Sequence, residues 1–439
     1  MNTPIWDFLK KYAESGAVRL HMPGHKGEAP FDVTEIDGAD VLYKASGIIA
    51  ESEKNASVLF GSARTFYSAE GSSLCIRAMV HLISLYAKEK GKTPYVLAYR
   101  NVHKSFVDAV ALTDTDVDFI YPENSDIMSA DVSLQALEEL IKEKTPTALY
   151  ITSPSYLGEI ADIAGAAKIC KKYGVLLAVD NAHGAYTKFL CPSEHPLDMG
   201  ADIVCDSAHK TLPVLTGGAY LHVGKGAPSY FAENAENALS LFASTSPSYL
   251  ILSSLDRVNQ ILAEDFRGKL FECVKRVEEL KAKLSGHGFE TFGDEKLKLT
   301  LMPKTFGYLG TELAKILSEK GIFCEFADRD YLVAMLSPYN TENDFKRLED
   351  SLLSIERKAP IEQKAPCVVK CERALSIRKA RLSPYEKTDA EKAEGKILAS
   401  ALESCPPAIP VMICGEVITK ESIDAFRYYG INEILTVKE

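Results

Sequence analysis

The chain has 439 residues, 46% hydrophobic and 25% charged, an ordinary globular composition on a chain too long for one small core. Fifty basic against 61 acidic residues leave a net charge of −11, which argues against nonspecific nucleic-acid binding and suits a cationic small-molecule ligand. No apolar run approaches the ~20 residues that span a bilayer, and the polar N-terminus lacks a signal-type apolar core, so no membrane partner and a cytoplasmic location are expected.

The first 20 residues have the spacing of a short amphipathic helix, with Ile5, Phe8, Leu9 and Tyr12 on one side. His21-Met22-Pro23-Gly24-His25-Lys26-Gly27 is too rich in Gly and Pro for helix. Its two histidines lack an acidic or Cys partner at ligand spacing. The ten cysteines are scattered, and only Cys367 and Cys371 lie close together, without a second pair to complete a zinc pattern. No metal is expected. A helix over Glu51–Phe60 and a strand over Thr65–Ser68 lead to Gly71-Ser72-Ser73, which opens a long amphipathic helix. Such a start offers backbone N–H groups, hydroxyls and the positive helix end to an anion, although Ser is also a common cap.

A strand over Pro94–Ala98 runs into Arg100-Asn101-Val102-His103-Lys104-Ser105. A helix over Ser133–Lys142 and a strand over Thr147–Ile151 follow, and the loop Thr152–Gly158 leaves the same sheet edge. A helix over Ile163–Tyr173 precedes the apolar run Val175–Val179, which stops at Asp180. A buried parallel strand closed by a carboxylate delivers that acid to the edge where ligands bind in open α/β sheets. A second strand, Ala201–Asp206, runs into Ser207-Ala208-His209-Lys210. Strands alternating with helices at this spacing imply crossovers and a mostly parallel sheet.

An acid and a lysine at one sheet edge are what pyridoxal 5'-phosphate (PLP) requires. The lysine amine holds the cofactor as a Schiff base, and the carboxylate keeps the pyridine nitrogen protonated. Asp180 suits the second role and Lys210 the first. Gly71, Ser72 and Ser73 suit the phosphate, while Ser207 and His209 flank the lysine. Leu215–His222 reads as a neighbouring strand with glycines where backbone approaches the cofactor.

His-Met-Pro-Gly-His-Lys-Gly at 21–27 and Ser-Ala-His-Lys at 207–210 resemble the signatures of the Orn/Lys/Arg decarboxylases, and the resemblance spans nearly the whole chain. It implies a PLP-dependent transferase fold of type I, an α/β large domain with a small α+β domain and a C-terminal α+β section. The expected divisions are 1–254, 255–358 and 359–439. It also implies decarboxylation of lysine, ornithine or arginine to the corresponding polyamine-type amine. His103 then stacks on the pyridine face, His183 lies near the ring oxygen, and His209 or Lys210 returns a proton to Cα. Thr245 and Ser246 reach the phosphate of the partner subunit in a homodimer with shared sites. Glu416, after the Pro406-Pro407 stretch, is a candidate for the substrate's distal cation. Glu70 and Gly217 depart from the family pattern. An aminotransferase or lyase of the same fold, or a non-catalytic PLP-binding homologue, stays open.

Beyond residue 254, a long charged helix is expected over Leu255–Leu284, then a strand at Lys298–Met302, a helix at Thr311–Lys320 and a strand at Tyr331–Met335. Ala359–Pro366 reads as a linker, and Asp389–Leu402 as a helix.

Overall fold

The structure is a computed structural model and describes residues 1–123, 128–367, 370–403 and 409–438. Its centre is a seven-stranded sheet of β1 (Arg64–Ser68), β2 (Tyr95–Tyr99), β3 (Asp116–Ile120), β4 (Ala148–Thr152), β5 (Leu176–Asp180), β6 (Ile203–Asp206) and β7 (Ala219–Val223). The spatial order is β1-β7-β6-β5-β4-β2-β3. β3, β2, β4, β5 and β6 pair in parallel, and β7 runs antiparallel to both of its neighbours.

Local sequence explains the βα units. The helix Ile163–Tyr173 starts where the Asp162 carboxylate accepts the Gly165 N–H, and it ends at Gly174, whose φ of 67° closes the last turn. β5, Leu-Leu-Ala-Val-Asp, is buried along its whole length, as a central parallel strand covered on both faces must be. The helix Gly71–Glu89 buries Leu74, Ala78, Met79, Leu82 and Ile83 against that sheet.

Several elements differ from expectation. β3 has no counterpart in the sequence reading because its Asp-Val-Asp-Phe-Ile pattern is that of a half-solvated edge strand. β7 begins only at Ala219, since Leu215 to Gly218 close a turn in which the Gly218 N–H donates to the Leu215 carbonyl. The long charged helix is two, Tyr249–Glu264 and Phe266–His287. They are broken at Asp265 (φ −125°, ψ 4°), and the apolar stripe resumes with fully buried Phe266. Residues 389–402 do not form an α-helix. Thr388 and Asp389 pair with Ile434 and Glu433, the Leu398 and Ala399 N–H groups bond to Glu416 and Leu435, and Gly395 sits at φ 79°. Pairing to distant strands overrides a helix-forming composition there.

A four-stranded antiparallel sheet (Phe326–Ala327, Leu332–Met335, Lys298–Leu301, Thr291–Phe292) and two smaller C-terminal pairs (Tyr385–Asp389 with Glu433–Val437, and Leu402–Glu403 with Pro410–Met412) complete the described architecture. The 359–366 stretch has no regular structure but is tied down, with Lys304 donating to the Gln363 carbonyl. Cys405–Ala408 of the proline stretch lie outside the described residues. Among the described residues, no helix is long and apolar enough to cross a membrane.

Candidate active site

A cavity of about 280 Å³ opens where the parallel strands end. Gly71, Ser72, Ser73, His103, Asp180, His183, Ser207, His209 and Lys210 all line it. Thus residues from four separate parts of the chain, two helix starts and the ends of β5 and β6, meet at the strand edge that the fold leaves free for a ligand.

Lys210 lies in a single helical turn, Ala208–Thr211, directly after β6. Its Nζ is 3.0 Å from Nε2 of His183. Burial pulls the lysine below its ordinary value, partly opposed by the Asp180 charge. Burial and the neighbouring Lys210 charge likewise hold His183 well below the usual imidazole range. His183 Nε2 thus faces the lysine amine, while its Nδ1 is buried without a hydrogen-bond partner.

Asp180 closes β5 at 1% exposure. One carboxylate oxygen accepts from the Ala182 N–H (3.1 Å) and the Cys205 thiol (3.4 Å), the other from the Tyr150 hydroxyl (3.3 Å). Burial raises its pKa, and the Lys210 charge and these donors pull back. A positive group in the cavity favours its ionised form further.

His103 caps the helix Lys104–Thr113, its Nδ1 accepting from the Ser105 N–H. Burial and the Lys210 charge push it down to about 4, so it presents an uncharged ring. Ser105 donates to Ser73, and Ser207 donates to Ser72 at 2.6 Å. These hydroxyl pairs tie the Gly71–Glu89 helix start to both the His103 turn and the lysine turn. His209 lines the cavity while both its backbone N–H and its Nδ1 hold the Gly218 carbonyl.

The two departures have local causes. Glu70 turns away from the helix start, its Oε1 accepting the Ser244 N–H at 2.7 Å. Gly217 has φ 97°, a Cβ there would meet the Ala69 carbonyl oxygen at 2.9 Å, and its own carbonyl accepts the Gly71 N–H. Only glycine fits that close approach.

Thr245 and Ser246 do not line this cavity and are exposed. Glu416 is also elsewhere. Its Oε2 accepts the Ile413 N–H, and its charge faces Arg100 and Arg373. Asn101, Thr152, Tyr156 and Glu325 line the cavity without having been assigned roles from sequence. The first three lie in strand-end loops whose general position was legible. Glu325 precedes a two-residue strand and carried no signal.

His195, Asp206 and His222 form the one cluster of metal-ligand type among the described residues. Both rings reach Asp206 through Nε2, while their Nδ1 atoms pair with the Leu197 N–H and the Thr65 hydroxyl. With Asn181 donating to the other Asp206 oxygen, the cluster locks the end of β6, just before the lysine turn.

Comparison with known proteins agrees with this arrangement. The family model "Orn/Lys/Arg decarboxylase, major domain" matches residues 3–302. The chain belongs to the Orn/Lys/Arg decarboxylase family. Its relatives include the uncharacterized protein YaaO of Bacillus subtilis, 33% identical over 96% of this chain and 93% of that protein. An arginine decarboxylase of the same organism is 29% identical over 96% and 92%. Lysine decarboxylase A from Pseudomonas aeruginosa has the same fold, with a TM-score of 0.82 at 17% identity over 99% of this chain and 80% of that one. Sphingomonas wittichii serine palmitoyltransferase, at TM-score 0.57 and 16% identity over 81% of this chain and 83% of that one, extends the fold likeness beyond the decarboxylases. This Orn/Lys/Arg decarboxylase family member is therefore an α/β enzyme of fold type I.

Proposed function

We propose that the protein decarboxylates a basic amino acid, lysine, ornithine or arginine, in a PLP-dependent reaction that releases CO₂ and the corresponding amine. The observation that carries this reading is the convergence of Lys210 and Asp180, from the ends of adjacent strands, on one cavity. The cavity fits the cofactor chemically. His183 Nδ1, Asn101 Oδ1 and Thr152 Oγ1 are buried there without partners, and a hydroxyl-rich helix start stands opposite the lysine.

Ser72, Ser73 and Ser207 would hold the phosphate through backbone N–H groups and hydroxyls at the positive helix end, while the Gly71 N–H is kept by the Gly217 carbonyl and Gly71 serves only to let the chain turn there. When bound, PLP supplies a reactive carbonyl and a pyridine ring that takes up the electron pair of the breaking Cα–carboxylate bond. Asp180 keeps a proton on the pyridine nitrogen. Burial keeps a fraction of Lys210 as the neutral amine, the nucleophilic form. His103 would cover a ring face without adding charge, and the unpartnered His183 Nδ1 would meet the ring oxygen. His209 or Lys210 then delivers a proton to Cα. In a homodimer, Thr245 and Ser246 of the partner subunit would complete the phosphate site.

Incubating PLP-loaded protein with each of the three amino acids, and assaying CO₂ and amine, tests the reading. One is expected to be processed well, and Lys210→Ala to abolish turnover. A keto acid in place of CO₂ would replace the proposal with transamination.

A further inference from the structure

The proposed substrates share a distal cation, and Glu416, the acid singled out from the sequence to meet it, does not line the cavity. Among the described residues lining the cavity there are two carboxylates, Asp180 and Glu325. Asp180 is sealed beneath Tyr150, Cys205 and the Ala182 backbone. Glu325 is exposed and lines the cavity where its carboxylate accepts the Tyr156 hydroxyl. Its backbone N–H pairs with the Val333 carbonyl, which fixes the residue to the small sheet.

Tyr156 meets both His183 and Glu325. Its ring meets the His183 ring edge-on at 5.2 Å, beside Lys210, and its hydroxyl donates to Glu325 at 3.1 Å. An aliphatic stem laid along that ring leads from the lysine to the carboxylate. The nearby cation Lys298 is engaged otherwise, its buried Nζ donating to the Ser155 carbonyl. The Glu325 carboxylate accepts the Tyr156 hydroxyl, and its charge reaches the Lys210 and Lys298 amines without an ion pair to either among the described residues. We infer that Glu325 is the specificity-determining residue that receives the substrate's distal ammonium or guanidinium group, with Tyr156 orienting it. This rests on the decarboxylase reading above.

The test compares wild type, Glu325→Gln and Glu325→Asp in two assays. One is steady-state decarboxylation of lysine, ornithine and arginine, with norleucine as the uncharged control. The other is calorimetric binding of the product amines cadaverine, putrescine and agmatine. Loss of a charge-assisted contact predicts roughly a 10- to 100-fold rise in KM for the preferred substrate and a matching rise in Kd for its amine in Glu325→Gln. Glu325→Asp should keep most of both, and the rate with norleucine should be the same in wild type and Glu325→Gln. Unchanged KM and amine Kd in Glu325→Gln would overturn the assignment. If the wild type decarboxylates none of the three, the decarboxylase reading fails. Amine binding still decides the role of Glu325 in that event.

Discussion

The Lys210 amine and the His183 imidazole, 27 positions apart in sequence, meet at 3.0 Å on the floor of the cavity, each depressed by burial. A group whose folded pKa is lowered takes up its proton only at more acid pH. With His103 pushed to about 4 and His183 also well down, neither ring should titrate between about pH 5.5 and 8. Imidazole resonances of ¹³C-histidine-labelled, cofactor-free protein, assigned with His103→Gln and His183→Gln, should be flat across that range. An inflection near 6.5 for either would contradict the burial argument.

Asp180 differs from its amide in charge but hardly in volume. Asp180→Asn should therefore fold and still take up PLP, yet lose the electrostatic support for the pyridine proton. We expect kcat to fall by roughly 10²–10³-fold, the scale for removing one well-placed charge-stabilising contact. Wild-type kcat in a folded, PLP-loaded variant would remove Asp180 from the chemistry.

The phosphate cradle predicts unequal effects from adjacent side chains. Ser72→Ala removes a hydroxyl facing the cavity and should raise the PLP Kd about tenfold or more. Glu70→Gln alters a carboxylate occupied by Ser244 and should leave Kd within about threefold. Fluorescence titration with PLP separates the two, and a large effect at Glu70 alone would show that the cradle has been misassigned.

Asp206 is fully buried. Burial alone would raise its pKa, but the histidine contacts win and hold it far below the usual carboxylate range. A carboxyl with a depressed folded pKa stabilises the fold above its unfolded value near 4, and that contribution fades as pH falls further. Asp206→Ala leaves His195, His222 and Asn181 without their shared partner and should cost about 3–5 kcal/mol at pH 7. Urea unfolding at pH 7 and pH 3.5 should show a smaller gap from wild type at the lower pH. A gap that widens on acidification would reverse the sign assigned to Asp206.

Much of this was legible in sequence. β5 and β6 are short apolar runs ending in Asp180 and in Ser207–Lys210, so both the sheet edge and its chemistry could be read from spacing. The helix start at Gly71 was equally plain from turn residues beside an amphipathic run. What sequence hid was set by tertiary pairing. β3 alternates as edge strands do, Asp389–Leu402 has helical composition but bonds to distant strands, and Glu416 is a buried carboxylate whose arginine partners come from elsewhere in the chain. Glu325 was invisible for the same reason, because only the seating of the small sheet brings it to the cavity. The roles of Glu70 and Gly217 likewise depend on Ser244 and Ala69, contacts that no local pattern records.

The central claim is that one lysine, Lys210, carries the cofactor opposite Asp180. Borohydride reduction of the PLP-loaded protein, followed by proteolysis and mass spectrometry, fixes the cofactor to whichever amine held it. The account predicts a single pyridoxyl-modified peptide, with the modification on Lys210 and absent from Lys210→Ala. Stoichiometric modification of another lysine, with Lys210 left free, would contradict it.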